Sequence, residues 1–225
     1  MKIIDFIYWK FQDFKQLRLD RINGITKFKP FGLRMYCGRQ GSGKTIGIVE
    51  QLNSWHIKYP NAKIVTNFDY DYADFKMTSL NDLLTIRNGT EGVIFAIDEL
   101  QNEFSSNLSK KFPETLLSVV TMQRKQRIVI LASSQVFTRV AKPLREQCYE
   151  VVDCRTFSNR WTRCKCYDAI DYNSIVDKKD PDAKFKLHKK WKHSFVQTDK
   201  LRSSYDTWAI VERLSRSGFK DVLDK

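Results

Sequence analysis

Short apolar segments alternate along the chain with longer segments of helical periodicity, from residue 31 to residue 156. Apolar runs rich in β-branched residues predict strands, and apolar positions spaced three or four residues apart predict helices. The predicted strands are 32–37, 62–68, 92–98, 127–134 and 149–156, and the predicted helical segments are 43–59, 79–88, 113–126 and, between the last two strands, 140–147. This alternation indicates an α/β fold with a central, mostly parallel sheet covered by helices on both faces.

The chain begins with a segment of helical amphipathicity over residues 2–15. Its apolar face comprises Ile3, Ile4, Ile7, Tyr8, Phe11 and Phe14. A helix of this kind typically docks on a core or on a neighbouring subunit, and attachment to a membrane surface is the alternative.

The pattern loosens after the last predicted strand. Residues 163–172 alternate like an antiparallel edge strand, 177–193 are charged and predict a loop or an extended arm, and 203–219 predict a short element that packs back on the core. The sequence therefore predicts one domain with additions. Its parts are an N-terminal amphipathic helix and lead-in (1–30), a core (31–172) and a basic C-terminal extension (173–225).

The net charge of the chain indicates which kinds of partner it can bind. The 39 Lys and Arg residues outnumber the 26 Asp and Glu residues and give a net charge of +13. Such a field favours nucleic acid or an anionic membrane surface, although a solvated basic surface without a partner is the simpler alternative.

No apolar run approaches the ~20 residues that span a bilayer, and the first residues lack the features of a signal peptide. A cytoplasmic protein is therefore expected.

Five cysteines, an odd number, are typical of reduced thiols in a cytoplasmic protein. Cys148, Cys154, Cys164 and Cys166 are close enough in sequence for a zinc site to be considered. Their spacing lacks the paired C-x2-C pattern of zinc knuckles, so buried apolar thiols in strands are the favoured interpretation and metal binding stays open.

A glycine-rich loop connects the first core strand to the helix that follows it. Its sequence matches G-x-x-x-x-G-K-[ST] in full, and the predicted nucleotide-binding residues are Gly38, Arg39, Gln40, Gly41, Ser42, Gly43, Lys44, Thr45 and Ile46. Glycines let backbone N–H groups curl around a phosphate, Lys44 supplies a positive charge to the β- and γ-phosphates, and the Thr45 hydroxyl completes the coordination of Mg²⁺. The expected ligands are ATP and Mg²⁺.

Two acids end the apolar strand 92–98. Asp98 is placed to hold Mg²⁺, and Glu99 is placed to polarise the water that attacks the γ-phosphate. An acid in the first turn of a following helix is the alternative for Glu99. A glutamate at this position favours a hydrolase, because a small-molecule kinase must exclude that water.

The next strand ends in Ser133, Ser134 and Gln135. Carboxyl ends of parallel strands line the ligand crevice, so a polar residue there can contact the γ-phosphate or the attacking water. Gln135 is the preferred candidate and Ser134 its competitor, with a simple strand-end cap as the alternative.

Together these residues resemble a family. The G-x4-GKT loop, the strand ending in Asp-Glu and the later strand ending in Gln resemble P-loop ATPases with a catalytic glutamate, of the FtsK/HerA-like group. The segments "KIVTNFDY" and "ILASSQVFTRVAKPLREQCYEVVDCRT" are similar to phage assembly ATPases of the Zot type, and "MQRKQRIVILASS" is similar to small phage DNA-packaging ATPases. The resemblance covers roughly residues 30–170, so the core 31–172 is expected to be the ATPase domain.

The resemblance implies a strand order of 5-1-4-3-2, a homo-oligomeric ring of five or six subunits, and ATP hydrolysis coupled to moving DNA or extruding a virion. In such rings an arginine from the neighbouring subunit completes the site. Arg124 is the best match by position, with Arg127 and Arg145 as alternatives; each of them is otherwise an exposed surface residue.

Basic residues are concentrated between residues 107 and 147. The candidates for DNA contact are Lys110, Lys111, Lys125 and Arg127, with Lys110 and Lys111 as possible pore residues.

Three functions are compatible with these features. The first is a motor that translocates double-stranded DNA, as a phage genome-packaging ATPase in the host cytoplasm that docks on a procapsid and its portal protein. The second is a Zot-type assembly or export ATPase anchored at a membrane by the N-terminal helix. The third, a nucleotide-dependent switch or kinase, is disfavoured by Glu99 and Gln135.

Overall fold

The computed structural model describes residues 2–24, 26–79, 81–103, 114–178 and 187–206. The helices are α1 (Lys2–Ile22), α2 (Lys44–Lys58), α3 (Asp82–Thr85), α4 (Leu100–Glu103), α5 (Glu114–Thr121), α6 (Gln123–Gln126), α7 (Lys142–Glu146), α8 (Ala169–Lys178) and α9 (Asp199–Ser203), with a 3-10 turn at Phe137–Arg139. The strands are β1 (Gly32–Cys37), β2 (Lys63–Thr66), β3 (Asp69–Tyr70), β4 (Phe75–Lys76), β5 (Val93–Ile97), β6 (Ile128–Ser134), β7 (Cys148–Phe157), β8 (Trp161–Asp168), β9 (Lys189–Val196) and β10 (Tyr205–Asp206).

Eight of the strands form one sheet in the order β4-β2-β5-β6-β1-β7-β8-β9. The five strands predicted from the sequence lie in its middle and pair in parallel. Numbered among themselves, they have the order 5-1-4-3-2, so the predicted α/β fold and strand order are confirmed. β8 and β9 extend the sheet with antiparallel pairing.

Both faces of this sheet are covered, which explains the continuous apolar strands. Every residue of β5 and β6 is buried. On one face α2 contributes Ile48, Val49 and Leu52, all completely buried. On the other face the core includes Leu144 of α7 and Tyr172 of α8. Strands buried on both sides need apolar residues at successive positions, as parallel sheets do in general.

The C-terminal region differs from the sequence prediction. β8 was expected to be an edge strand, but β9 pairs with it and forms the edge instead. The strand β9 lies largely in the segment predicted as a charged loop or arm. Its lysines hid the strand in the sequence, because only Trp191 and Phe195 pack on the core. The predicted boundary between the core and the C-terminal extension, at residue 172, falls inside α8. The strand β9 of the extension belongs to the main sheet.

Two predicted helices are shorter than expected. The segment 79–88 forms only the single turn α3, and the segment 113–126 is interrupted at Met122 between α5 and α6. Arg127 adopts a left-handed backbone conformation (φ 54°) at the end of α6, which stops the helix before β6. Of the last predicted element, 203–219, only the first residues lie within the described part of the chain.

The N-terminal helix is confirmed and extends to Ile22. Its apolar side chains remain exposed, so of the two predicted docking partners the chain's own core is not the one, and docking on a neighbouring subunit stays a prediction. Within the residues that the structure describes, no helix is long and apolar enough to cross a membrane.

All five cysteines are buried, and none of them forms a disulfide. Cys154 and Cys164 face each other across β7 and β8 with their Sγ atoms 3.8 Å apart, and burial raises the pKa of Cys148 and of Cys166 to about 12. Across the described ranges, no group of three or more potential ligands is arranged to hold a metal ion.

Candidate nucleotide-binding site

The parallel sheet brings three segments of the chain to one edge. β6 pairs with both β1 and β5, so the carboxyl ends of all three strands lie side by side. The glycine-rich loop 38–43 follows β1, Asp98 and Glu99 follow β5, and β6 ends at Ser134. This edge is where open parallel sheets bind their ligands.

The loop has a backbone that only glycine adopts without strain. Gly41 and Gly43 have positive φ angles of 74° and 88°. A Cβ atom on Gly43 would lie 2.5 Å from Thr156 Oγ1 and 2.9 Å from Thr162 Oγ1. The loop is therefore pressed against β7 and β8, and both the conformation and the space require glycine there.

Lys44 is buried at the start of α2. Its ammonium group donates to the carbonyl oxygen of Arg39 (3.3 Å) and lies 3.9 Å from Oε1 of Glu99. The lysine thus lies between the loop and the acidic strand end, where a triphosphate held by the loop would meet it.

Asp98 is the centre of a buried polar network. Its Oδ1 accepts hydrogen bonds from Thr45 Oγ1 (3.0 Å) and from the Ser133 hydroxyl. Burial raises the pKa of Asp98, and the hydrogen bonds from Ser133 and Thr45 oppose this shift. The Asp98 carboxylate and the Thr45 hydroxyl lie within hydrogen-bond distance of each other. Both are hard oxygen ligands of the kind that Mg²⁺ prefers, so these residues fit the metal.

Glu99 has a left-handed backbone (φ 53°), which is strained for a residue other than glycine. Its N–H donates to Ser133 Oγ (2.8 Å), and its carboxylate contacts Lys44 and the Gln101 amide. Side-chain contacts on both sides and the strained backbone fix the carboxylate beside the loop.

Asn67 contacts this network and was missed as a site residue. Its side chain accepts from the Asp98 N–H (2.8 Å) and donates to the Asp98 carbonyl oxygen (3.1 Å). It directly follows β2, the strand next to β5. In the sequence, Asn67 could have been noticed as a polar residue after an apolar strand. Its contact with Asp98 follows only from the strand order, which places β2 beside β5.

The three polar residues around the end of β6 have different positions. Ser133 contacts Asp98 and Glu99, whereas the Ser134 hydroxyl donates to the Val136 carbonyl oxygen (3.0 Å) and stabilises the turn. Gln135 lines a cavity of about 610 Å³ beside the loop, together with Gly38, Arg39, Ser42, Arg155 and Tyr172 among others. Neither Ser134 nor Gln135 makes a described hydrogen bond with the acids.

Arg124 lies far from the loop of its own chain. It is exposed on α6, before β6, and its guanidinium stacks on the ring of Phe31 (5.7 Å). The seven residues of β6 separate it from the nucleotide edge, a distance of about 20 Å at ~3.3 Å per residue. Arg124 therefore does not reach the nucleotide edge of its own chain.

The other basic candidates are engaged locally or lie elsewhere. Arg127 donates to the Phe28 carbonyl oxygen (2.9 Å), and Arg145 donates to Asn173 Oδ1 (3.0 Å). Lys125 is exposed on α6. Lys110 and Lys111 lie outside the described residues.

A set of cations on the antiparallel extension was also missed. Arg155 is directly opposite Arg163, and Lys165 is directly opposite Lys192, all on one side of β7, β8 and β9. We call these four residues the basic face. Asp153, also opposite Lys165, is an acid beside them, and among the described side chains none of the four cations forms an ion pair. Like charges directly opposite each other destabilise a sheet unless an anion compensates them.

The Asp98→Asn variant tests the metal-ligand assignment. We expect it to raise Tm of the protein without nucleotide and Mg²⁺ by about 2–4 °C, because a gain of ~1 kcal/mol shifts a chain of this size by that amount. Asparagine keeps the acceptor oxygen for Thr45 but removes the buried charge. Calorimetry with and without Mg²⁺ and an ATP analogue measures both states.

The matched control is Asp71→Asn, because Asp71 is exposed. Added Mg²⁺ and nucleotide should stabilise the wild-type protein and the control but not Asp98→Asn. Equal stabilisation of all three proteins would contradict the assignment of Asp98 as a metal ligand.

Comparison with solved structures confirms the predicted P-loop NTPase fold. The N-terminal domain of zonular occludens toxin from Neisseria meningitidis superposes with a TM-score of 0.55 at 17% identity, over 78% of this chain and 98% of that one. The genome packaging NTPase B204 from Sulfolobus turreted icosahedral virus 2, in complex with ATP-gammaS, matches at 0.45 and 12% identity (62% and 93% covered). The flagellar accessory protein FlaH from Methanocaldococcus jannaschii matches at 0.43 and 11% identity (67% and 83% covered). The sequence matches no protein-family model and no curated protein.

Proposed function

We propose that the protein is a Mg²⁺-dependent ATPase. The observation that carries this proposal is the network joining Lys44, Thr45, Asp98, Glu99 and Ser133 at one edge of the sheet. A nucleotide-binding loop alone is compatible with a switch or a kinase. A glutamate fixed beside the lysine of that loop favours hydrolysis.

Each residue has a separate task in this reaction. The amides of residues 38–45 and the Lys44 ammonium bind the β- and γ-phosphates, and Thr45 and Asp98 hold Mg²⁺. Bound Mg²⁺ neutralises charge that develops on the phosphates. Glu99 accepts a proton from the attacking water, and Ser133 orients both acids. The cavity lined by Gln135 adjoins the loop at Gly38, Arg39 and Ser42.

We further propose that hydrolysis moves double-stranded DNA, with genome packaging by a phage as the setting. The net charge of +13 and the basic face support binding to a polyanion. In this proposal a ring of five or six subunits surrounds the DNA, docked on a procapsid and its portal protein in the host cytoplasm. Arg124 would complete the site of the neighbouring subunit, and Gln135 would report the state of the γ-phosphate.

The Lys165→Ala/Lys192→Ala double variant tests the DNA part of the proposal. Losing two phosphate contacts should reduce the slope of log affinity against log salt by about 2, at roughly 0.9 per contact. DNA-stimulated ATPase activity should fall at moderate salt, while activity without DNA stays unchanged. Fluorescence anisotropy with a labelled duplex and a phosphate-release assay measure the two quantities.

The control is Lys58→Ala/Lys63→Ala, which removes the same charge from another part of the surface. If the control and the test variant lose DNA affinity equally, DNA binding depends only on the net charge of the protein. The basic face is then not the contact site. If duplex DNA leaves the hydrolysis rate of the wild-type protein unchanged at low and at moderate salt, the translocation proposal is wrong.

A further inference from the structure

The N-terminal helix α1 exposes an unusual amount of apolar surface. Eleven of its large apolar side chains are exposed, with accessible fractions from 49% to 76%. The rest of the described chain buries most residues of this type. Large exposed apolar surfaces mark sites of contact with a protein or a membrane.

Charges on α1 are sorted by face. With about 100° per residue, ten of the eleven apolar residues occupy an arc of roughly 220° that runs from Phe6 through Ile7 to Leu19. The basic residues within this arc are Lys10, Lys15, Arg18 and Arg21. The acids Asp5, Asp13 and Asp20 all lie on the remaining side, together with Gln12, Gln16, Lys2 and Trp9. We call the first side the apolar-basic arc.

The acidic side of α1 faces the rest of the protein at the end of the helix. Asp20 is buried and forms an ion pair with Lys27 (2.6 Å), and Gln16 donates to Asp20 Oδ1 (2.8 Å). The centre of the apolar-basic arc is about 150° away from Asp20 around the helix. Leu17 and Arg21, within the arc, line a cavity with Lys58 and Tyr59 of the core. The centre of the arc, around the exposed Ile7, points away from the core and is free to meet a flat surface.

Charge complementarity selects the occupant of this arc. A second copy of α1 would oppose four cations with four cations, and the whole chain carries a charge of +13. An anionic bilayer instead accepts apolar side chains below its headgroups while Lys and Arg extend to the phosphates. Tyr8 is also typical of the interfacial layer, and Phe11 is typical of the apolar face of interfacial helices.

We propose that α1 lies flat on an anionic lipid surface, with the apolar-basic arc buried in the headgroup region and Asp5, Asp13 and Asp20 facing away. The eight charged residues of the helix suit a surface position and not a spanning one. The ATPase core would then be held beside a membrane through α1, as in the membrane-anchored alternative and not on a procapsid in the cytoplasm. This inference rests on α1 alone and stands independently of ATP hydrolysis.

Vesicle flotation of the full chain tests the proposal. Wild-type protein should float with vesicles of phosphatidylcholine containing about one third phosphatidylglycerol, because both apolar burial and charge attract it, and much less with phosphatidylcholine alone. Ile7→Glu, near the centre of the arc, should lower the partition coefficient at least about tenfold, since it replaces a buried apolar side chain by an anion.

Gln12→Glu adds the same charge on the opposite side and should change the partition coefficient less than about threefold. Circular dichroism and ATPase rates of both variants show whether the fold is retained. Light scattering without lipid tests the competing occupant, a second copy. The proposal is overturned if wild-type protein does not float with anionic vesicles, or if both variants bind the vesicles equally. It is also overturned if Ile7→Glu dissociates a wild-type oligomer while leaving lipid binding unchanged.

Discussion

Replacing Glu99 by glutamine is expected to lower kcat for ATP hydrolysis by about 10²–10⁴-fold, the usual contribution of a general base. The amide keeps the size of the side chain and one of its two acceptor oxygens, which contact Lys44 and the Gln101 amide, but it cannot accept the proton of the attacking water. Binding of ATP should persist, because Lys44, Thr45 and Asp98 are unchanged. Phosphate release at saturating ATP and equilibrium binding of a labelled nucleotide separate the two effects.

Glu91→Gln is the matched control, since Glu91 is exposed before the other end of β5. It should leave kcat within about twofold of wild type, as substitutions of exposed residues usually do. Undiminished turnover by Glu99→Gln would remove the reason for preferring a hydrolase and would support the nucleotide-dependent switch or the kinase.

Replacing Lys44 by alanine is expected to lower kcat by about 10²–10³-fold, as the loss of one preorganised cationic donor does in other sites. It should also weaken ATP binding, because the ammonium group is the cation next to the loop and is buried. In contrast to Glu99→Gln, this variant should therefore lose affinity and rate together. Nucleotide titration by calorimetry measures the affinity.

The control for this variant is Lys58→Ala. Lys58 is exposed in the last turn of the same helix, about 20 Å from Lys44 at 1.5 Å per residue. Affinity and kcat of the control should match wild type. If Lys44→Ala retained wild-type affinity for ATP, the loop would not be the phosphate site.

The loop and the acids after β5 could be identified from the sequence because each is a contiguous pattern. Glycines, a lysine and a threonine at fixed spacing between a strand and a helix leave few alternatives. Asp98 and Glu99 stand out because they end an entirely apolar strand. Both inferences needed only local order along the chain.

Contacts across the sheet could not be inferred in the same way. Asn67 and Ser133 contact Asp98 only because β2 and β6 flank β5. The choice of Gln135 over Ser134 came from residue type without distances. β9 was hidden by its lysines, and with it the register that assembles the basic face. The amphipathic pattern of α1 predicted a helix, but whether its apolar side meets the core depends on the tertiary structure.

The most direct test of the account is the initial rate of phosphate release from Mg²⁺-ATP by the full chain, with Lys44→Ala as background. We predict turnover well above this background that requires Mg²⁺ and increases with duplex DNA at low salt. A rate equal to that of Lys44→Ala, with and without DNA, would contradict the central claim that this site hydrolyses ATP.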